Sequence, residues 1–309
     1  MGIAEKTFNR GEIIIKEGDI GKSFFRLMEG TAGVYSNFGK KDEFRLGAIE
    51  SEEFFGEMAI LEAYPRSATI VAETPVKVIE IPEKEMNAYF SENQDQIIEL
   101  MRHLGARIKA MTKDYNEATA LLKEIKEADE GKKKSKSLFS KIKKHVDLYQ
   151  ANKNKITEPS TDSLRKALKD MTGDGTGKLE SYRRGMVVYN QNDPGDCMYI
   201  LHSGIVNVFK DYGERTQQQL AELRGISFFG EMGLAAGEKR EATVIVDSDG
   251  TLIEVIREKD MKPILRSCPA KFDAILRNLS YRLRRLNIDF LNTCKEITEN
   301  YDPGEEDKK

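Results

Sequence analysis

A chain of 309 residues, with 39% hydrophobic and 33% charged residues, has the size and composition of a globular protein of about two domains. Its formal net charge of −3 gives no overall attraction to nucleic acid or to an anionic membrane, so any basic function must be local. No apolar run approaches the roughly 18 residues of a membrane span, and the N-terminus lacks the apolar stretch of a secretory signal.

The first predicted elements are short β-strands. Alternating runs at 12–19, 23–30 and 31–37 are broken by glycine at a spacing that is typical of an antiparallel sandwich or barrel. Gly30 lies between two of these runs, where a turn with positive φ would need glycine. The pattern predicts antiparallel β-structure followed by helix.

The next segment, FFGEMAILEAYPRSATI at 54–70, contains the candidate site of this half of the chain. A Gly-Glu pair before a short helix-like stretch leaves backbone N–H groups available to an anion. Arg66 can return to the same place and bind a phosphate through charge-assisted hydrogen bonds. The carboxylate of Glu57 would accept hydrogen bonds from ligand hydroxyls, so the pattern favours a sugar phosphate with a free hydroxyl.

A long helix is predicted after this motif. Apolar residues recur at alternating spacings of four and three over about four heptads, which is typical of a coiled-coil seam. The first turns would pack on their own β-domain, and the length of the seam indicates a helical partner beyond it. The seam residues are Ile97, Met101, Leu104, Ile108, Met111, Tyr115, Ala118, Leu122 and Ile125.

A connector of different composition follows. Residues 127–136 predict a break, 137–149 a short amphipathic helix and 150–163 a loop. The basic stretch 132–145 could contact an anionic membrane or nucleic acid, with Leu138, Phe139 and Ile142 available for insertion into a membrane. We favour the simpler interpretation of a solvated, partly helical connector.

The chain then repeats itself. At an offset of 174 residues Phe55-Gly56-Glu57-Met58 falls on Phe229-Gly230-Glu231-Met232, and no gap is needed over roughly sixty residues. After one inserted residue the helical seam also recurs. Its residues are Phe272, Leu276, Leu279, Leu283, Leu286, Phe290 and Ile297. We therefore predict two copies of one domain, at about 7–126 and 181–301.

Cysteine and histidine are too scarce for several kinds of chemistry. Cys197, Cys268 and Cys294 are too few and too irregularly spaced for a disulfide framework, which indicates a reducing compartment and a cytoplasmic location. The three histidines are not paired at metal-ligand spacing, so we expect no metal site. We see no nucleophile–base pair and no nucleoside-triphosphate loop, so we predict no catalytic residues, no cofactor and no enzyme.

Two segments identify a family. FGEMAILEAYPRSAT (55–69, the first cassette) and FGEMGLAAGEKREAT (229–243, the second cassette) resemble the phosphate-binding cassette of cyclic nucleotide-binding domains. The approach runs IKEGDIGKSFFRLMEG (15–30) and YNQNDPGDCMYILHSG (189–204) share the resemblance. The resemblance implies an eight-stranded β-roll flanked by helices in each copy.

The resemblance also implies roles for particular residues. Arg66 and Arg240 would hold the cyclic phosphate, Glu57 and Glu231 the ribose 2′-hydroxyl, and nearby backbone N–H groups would complete the phosphate cradle. The C-terminal helix of each copy would close over the base. The predicted ligand-binding residues are Gly56, Glu57, Met58, Ala59, Arg66, Ser67, Ala68, Gly230, Glu231, Met232, Gly233, Arg240, Glu241 and Ala242.

Several interpretations of these residues stay open. Arg66 and Glu57 could form a plain structural ion pair. Glu241 replaces Ser67 beside the phosphate-binding arginine, where a second carboxylate could repel a phosphate or neutralise Arg240. If the Glu241 side chain points outward, nothing is lost.

The nucleotide and the base contacts also stay open. Ser67 could donate to the phosphate or meet the 2-amino group of a syn guanine, so the ligand is cyclic AMP, which we favour, or cyclic GMP. Tyr115 and Phe290 occupy equivalent helix positions and could cap the base, although an aromatic residue on a seam is more often core. Arg107 and Arg282 are a further equivalent pair that we expect to be solvated.

The predicted fold is α+β and mainly β, with two β-roll domains, each followed by a C-terminal helix, and a helical linker between them. The predicted bounds are 1–126 and 181–301 for the domains, 127–180 for the linker and 302–309 for an acidic tail. The two C-terminal helices could pair within one chain as a pseudo-dimer or between chains as a homodimer. We slightly favour the first, because the long connector allows it.

The predicted function is that of a non-enzymatic cyclic nucleotide sensor that signals through helix rearrangement to an unidentified protein effector or through self-association. One alternative is a DNA-associated regulator of the catabolite activator type. The acidic tail after the second copy leaves no room for a helix-turn-helix, so we expect no DNA-binding domain. The other alternative is a scaffold with degenerate nucleotide sites.

Overall fold

The structure is a computed structural model that describes residues 2–61, 65–127, 136–152 and 178–300. In these residues each copy contains eight strands in two four-stranded antiparallel sheets, so the predicted mainly-β fold is confirmed. The predicted tail 302–309 and most of the predicted linker lie outside the described residues.

The first copy forms two sheets with the strand orders β1-β8-β3-β6 and β2-β7-β4-β5. Alternate residues of each strand face the space between the sheets, where Phe25 stacks on Phe55 with ring centroids 5.2 Å apart. The strands are β1 (Ala4–Phe8), β2 (Ile13–Ile15), β3 (Ser23–Glu29), β4 (Ala32–Ser36), β5 (Phe44–Ile49), β6 (Phe54–Phe55), β7 (Thr69–Ala72) and β8 (Val76–Pro82).

The second copy repeats this topology with the orders β14-β11-β16-β9 and β10-β15-β12-β13. Tyr199 and Phe229 take the places of Phe25 and Phe55 in its core, with ring centroids 5.1 Å apart. The strands are β9 (Lys178–Tyr182), β10 (Val187–Tyr189), β11 (Cys197–Ser203), β12 (Ile205–Lys210), β13 (Gln218–Arg224), β14 (Ser227–Phe229), β15 (Thr243–Val246) and β16 (Thr251–Arg257).

The prediction that Gly30 turns the chain with positive φ is confirmed. Its φ is 88°, and its counterpart Gly204 has a φ of 98°. A Cβ on Gly30 would also collide with the carbonyl oxygen of Pro75, so both the conformation and the space require glycine there.

The described residues contain seven α-helices. The predicted long helices are present as α3 and α7, and the predicted connector helix is present as α4. The helices are α1 (Glu57–Leu61), α2 (Met86–Glu92), α3 (Asp95–Glu127), α4 (Lys136–Asn152), α5 (Glu231–Ala236), α6 (Glu258–Ser267) and α7 (Pro269–Asn300), with one 3-10 turn at Glu83–Glu85.

The compact units of the structure do not follow the repeats. Among the described residues the first unit takes 2–83, 107–152 and 280–300, and the second takes 84–106 and 178–279. Helices α3 and α7 each contribute one end to each unit. The domain bounds derived from the repeats remain a prediction.

In the first unit the C-terminal parts of α3 and α7 pack together with α4, and we call this group of side chains the helical cluster. Lys126 on α3 and Glu296 on α7 form an ion pair at 2.9 Å beside it. The two predicted seams therefore meet within one chain. The cluster comprises Ala118, Leu121, Leu122, Ile125, Ile142, Phe290, Cys294 and Ile297.

The helical cluster includes one residue of the basic stretch 132–145. Ile142 is fully buried in the cluster, so it is not available for the membrane insertion that we considered for 132–145. Lys143 and Lys144 remain exposed on the other side of α4. Residues 132–135 lie outside the described part of the chain. No helix that is described has the length and apolar character to cross a membrane.

In the second unit a buried ion pair joins strand β16 to the first turn of α7. Lys271 donates to Glu254 at 2.8 Å, and both side chains are almost fully buried, at 1% and 4% exposure. His202 on β11 contacts the other carboxylate oxygen of Glu254 at 2.8 Å. This three-residue contact fixes the start of α7 against the sheet.

Candidate functional site

The first cassette surrounds a buried arginine. Arg66 is 9% exposed, and its Nη1 donates to the carbonyl oxygen of Gly56 at 2.5 Å while Nη2 donates to that of Ser23. Burial lowers the pKa of Arg66, and the nearby carboxylates of Glu57, Glu80 and Asp19 partly oppose that shift. The guanidinium is therefore held in one place by backbone carbonyl groups of the cassette and of strand β3.

Glu57, at the start of α1, is buried to 2% exposure beside this arginine on the same segment. Its Oε1 accepts a hydrogen bond from Arg107 Nη1 at 2.7 Å, and its Oε2 has no hydrogen-bond partner. The alternative of a direct Arg66–Glu57 ion pair is therefore not what the structure contains. A buried carboxylate oxygen without a partner is costly unless a ligand supplies a donor.

From the sequence, Arg107 was predicted to be solvated and to have no role in the site. It lies on α3, fifty residues from Glu57 along the chain, and forms its ion pair with a carboxylate that is predicted to bind ribose. An arginine at a regular helix position carries no sequence signal for such a contact. The pair orients Glu57 so that Oε2 stays open.

Replacing Arg107 by alanine should weaken nucleotide binding at the first cassette, because Glu57 would lose the group that orients it. Since Arg107 is 43% exposed, we expect a loss of about twofold to fivefold in affinity, which corresponds to at most about 1 kcal/mol for a partly solvated charged pair. Calorimetric titration of the variant measures it. Arg102→Ala is the matched control, because Arg102 pairs with the exposed Glu258 and should leave that affinity unchanged.

The second cassette surrounds a more deeply buried arginine. Arg240 is 4% exposed, and it donates to the carbonyl oxygens of Gly230 at 2.5 Å and Cys197 at 2.7 Å. Its guanidinium lies 4.5 Å from the ring centroid of Tyr189, which adds a cation–π contact. Glu231, at the start of α5, is also buried, at 2% exposure. The two cassettes thus present the same pair of buried charges.

The cassettes differ where α5 packs on the preceding loop. Gly233 occupies the position of Ala59 in the first cassette. A Cβ on Gly233 would lie 2.6 Å from the Cα of Gly195 and 2.7 Å from Nη1 of Arg240. The second cassette therefore needs glycine at this position.

The remaining predicted contact residues lie along the same two segments. Ser67 and Glu241 are both exposed, while Ala242 is buried and Ala68 is half-buried. Met58 and Met232 are half-buried in α1 and α5. No cation pairs with Glu241 among the described residues, so Arg240 is not neutralised by a direct ion pair with it.

The two predicted base caps lie elsewhere. Phe290 is 6% exposed inside the helical cluster, and Tyr115 packs against the same cluster. His145 on α4 meets the ring of Phe290 edge-on, with centroids 6.1 Å apart. These rings pack in a helix–helix core, in line with the interpretation that an aromatic residue on a seam is core, and their capping of a base remains a prediction.

Comparison with known proteins finds relatives that align with most of this chain. A cGMP-dependent protein kinase of Toxoplasma gondii is 24% identical over 290 residues, covering 94% of this chain and 22% of that protein. A cAMP-dependent protein kinase regulatory subunit of Dictyostelium discoideum is 25% identical over 263 residues, covering 84% of this chain and 64% of that protein. The chain thus spans about a fifth of the first relative's length and just under two thirds of the second's.

Solved structures and a family model complete the comparison. The regulatory domain of Toxoplasma gondii PKA, crystallised with cAMP, is 19% identical and covers 89% of this chain and 84% of that chain, with a TM-score of 0.27. The family model for the cyclic nucleotide-binding domain matches residues 5–93 and 179–267, which together exceed half of the chain. Each match contains one of the two cassettes. The chain belongs to the cyclic nucleotide-binding domain family and carries that domain twice.

Proposed function

We propose that this protein is a non-catalytic regulator that binds one cyclic nucleotide in each cassette. The observation that carries the proposal is the pair of buried opposite charges found twice, Arg66 with Glu57 and Arg240 with Glu231. Buried charges are retained when they are compensated by partners or ligands. A cyclic phosphate would neutralise the arginine, and the ribose 2′-hydroxyl would donate to the carboxylate, for which Oε2 of Glu57 is open.

We favour cyclic AMP as the ligand, with cyclic GMP as the second candidate. Ser67 is exposed at the end of the first cassette, where its hydroxyl can donate to a phosphate or accept from the 2-amino group of a syn guanine. One relative is named for cGMP and another for cAMP, so similarity does not decide between the two nucleotides. The choice depends on a direct comparison of the two affinities.

The signal would leave the first cassette through α3. Arg107 on this helix pairs with the carboxylate that would hold the ribose, so ligand binding and the position of α3 share one ion pair. The coupling is a population shift, and its size is limited by the preference of the nucleotide for one helix arrangement. The recipient would be a protein effector, and cytoplasmic action is consistent with free, buried cysteines.

Calorimetric titration of the nucleotide-stripped full chain with cyclic AMP, and then with cyclic GMP, tests the proposal. We expect two bound equivalents of the preferred nucleotide. One equivalent would restrict the function to a single cassette and make the other copy a structural domain. Binding of neither nucleotide would overturn the proposal in favour of a scaffold with degenerate sites.

A further inference from the structure

The first cassette has a positive charge beside its arginine. Lys22 directly precedes Ser23, whose carbonyl oxygen accepts a hydrogen bond from Arg66. Ser67, which directly follows the arginine, is neutral. Both flanking side chains are exposed, and Lys22 has no ion-pair partner among the described residues, so its charge is not cancelled locally.

The second cassette has negative charges at the same two places. Asp196 directly precedes Cys197, whose carbonyl oxygen accepts a hydrogen bond from Arg240 at 2.7 Å, and Glu241 directly follows the arginine. Both carboxylates are exposed, and within the described part of the chain neither meets a cation. Asp196 is therefore adjacent to a residue that accepts a hydrogen bond from Arg240, and Glu241 is adjacent to Arg240 itself. Consecutive Cα atoms are about 3.8 Å apart, so the backbone of both acidic residues lies close to these groups.

The other acidic groups near the arginines do not distinguish the cassettes. Asp19 and Glu80 act electrostatically on Arg66, and their counterparts in the second copy are Asp193 and Glu254. The same residue type therefore occupies each of these positions in both copies. The residue before the arginine differs as well, since Lys239 stands in the second copy where Pro65 stands in the first. With this lysine counted, the neighbouring positions still carry a net positive charge in the first copy (Lys22) and a net negative charge in the second (Asp196 and Glu241 against Lys239).

We propose that these flanking charges make the second cassette the weaker site for the cyclic phosphate, and this rests on the proposed function. In the first copy the phosphate meets a lysine and a serine beside its arginine. In the second copy it meets two carboxylates, whose repulsion opposes the attraction of the buried Arg240. Two charges at the surface interact by about 1 kcal/mol or somewhat more, and each 1.4 kcal/mol is a factor of ten in affinity.

The test measures the second cassette in isolation and changes its charges only. In an Arg66→Ala background, the affinity for cyclic AMP is measured for the parent protein and for the isosteric pair Asp196→Asn with Glu241→Gln. We expect the neutral pair to bind about tenfold more tightly at 0.05 M salt. At 1 M salt, where the screening length falls to about 3 Å, the gain should shrink to about twofold or less.

Two further measurements separate charge from packing. Adenosine lacks the phosphate, so any affinity that it has should not change with the neutral pair. The reciprocal variant, Lys22→Asp with Ser67→Glu in an Arg240→Ala background, should weaken cyclic AMP binding at the first cassette at low salt. All four positions are exposed, and unchanged thermal unfolding verifies that the variants fold.

The outcomes are distinct. An affinity that does not respond to the neutral pair, or a gain that persists at 1 M salt, would overturn the inference while cyclic nucleotide binding stands. An equal gain in the affinity for adenosine would also overturn the inference, because the substitutions would then act through the shape of the site and not through its charge. Failure of the unmodified chain to bind any cyclic nucleotide would instead refute the proposed function.

Discussion

Replacing Arg66 by alanine should remove one of the two bound equivalents of nucleotide, and Arg240→Ala should remove the other. Each guanidinium is buried and would lose both its charge and its hydrogen bonds to the phosphate. Losing one partner of a buried charged pair costs about 2–5 kcal/mol, so we expect affinity to fall by about a hundredfold or more at the altered cassette. Titration calorimetry reports the number of sites and both affinities in one experiment.

The two variants serve as controls for each other. Arg66 also donates to the carbonyl oxygens of Gly56 and Ser23, so its loss has a structural cost that must be separated from the loss of binding. If the Arg66→Ala protein still binds at the second cassette with the affinity of the parent, it is folded. Stoichiometry that stays at two in either variant would contradict the assigned role of that arginine.

Replacing Lys271 by methionine should destabilise the protein by about 3 kcal/mol, because it leaves the buried carboxylate of Glu254 without its buried cation. Urea unfolding at neutral pH measures the change in the free energy of unfolding. The matched control is Lys262→Met, in which an exposed lysine loses a surface pair with Asp95 at a cost below about 1 kcal/mol.

The loss in the free energy of unfolding caused by Lys271→Met should depend on pH. Burial alone would raise the pKa of Glu254, but hydrogen bonds from His202 and Lys271 outweigh burial and hold this pKa below its ordinary value. A carboxyl with a lowered pKa contributes stability above its ordinary pKa and loses that contribution as pH falls through the lowered value. The difference between parent and variant should therefore shrink in acid.

A second substitution separates the charge from the packing. Adding Glu254→Gln to Lys271→Met removes the uncompensated charge and should recover part of the lost stability at neutral pH. If the double variant is as unstable as Lys271→Met alone, the lysine acts by filling space and the ionic explanation is wrong.

Local sequence features were enough to predict the fold and the family. The glycine-bounded β-runs and the two cassettes depend on residues close together in the chain, and the repeat is found by comparing two such segments at an offset of 174 residues. The heptad spacing likewise predicted α3 and α7, because a helix face shows its period directly. Each of these signals is readable without knowledge of tertiary contacts.

Contacts between distant residues were not predictable in this way. Nothing local distinguishes Arg107 from other helical arginines, and its pairing with Glu57 depends on how α3 crosses the first cassette. The burial of Lys271 similarly depends on a carboxylate in strand β16. The aromatic pair Tyr115 and Phe290 was ambiguous for the same reason, since periodicity shows that a face is apolar but not what covers it.

The division of α3 and α7 between the compact units limits where the chain can be cut. Each unit of the structure takes residues from both copies of the repeat, so a cut between the copies would divide both units. A fragment with the first copy alone would lack α7 of the helical cluster, and one with the second copy alone would lack α3 and α4. Any fragment that keeps the helical cluster therefore has to include both copies.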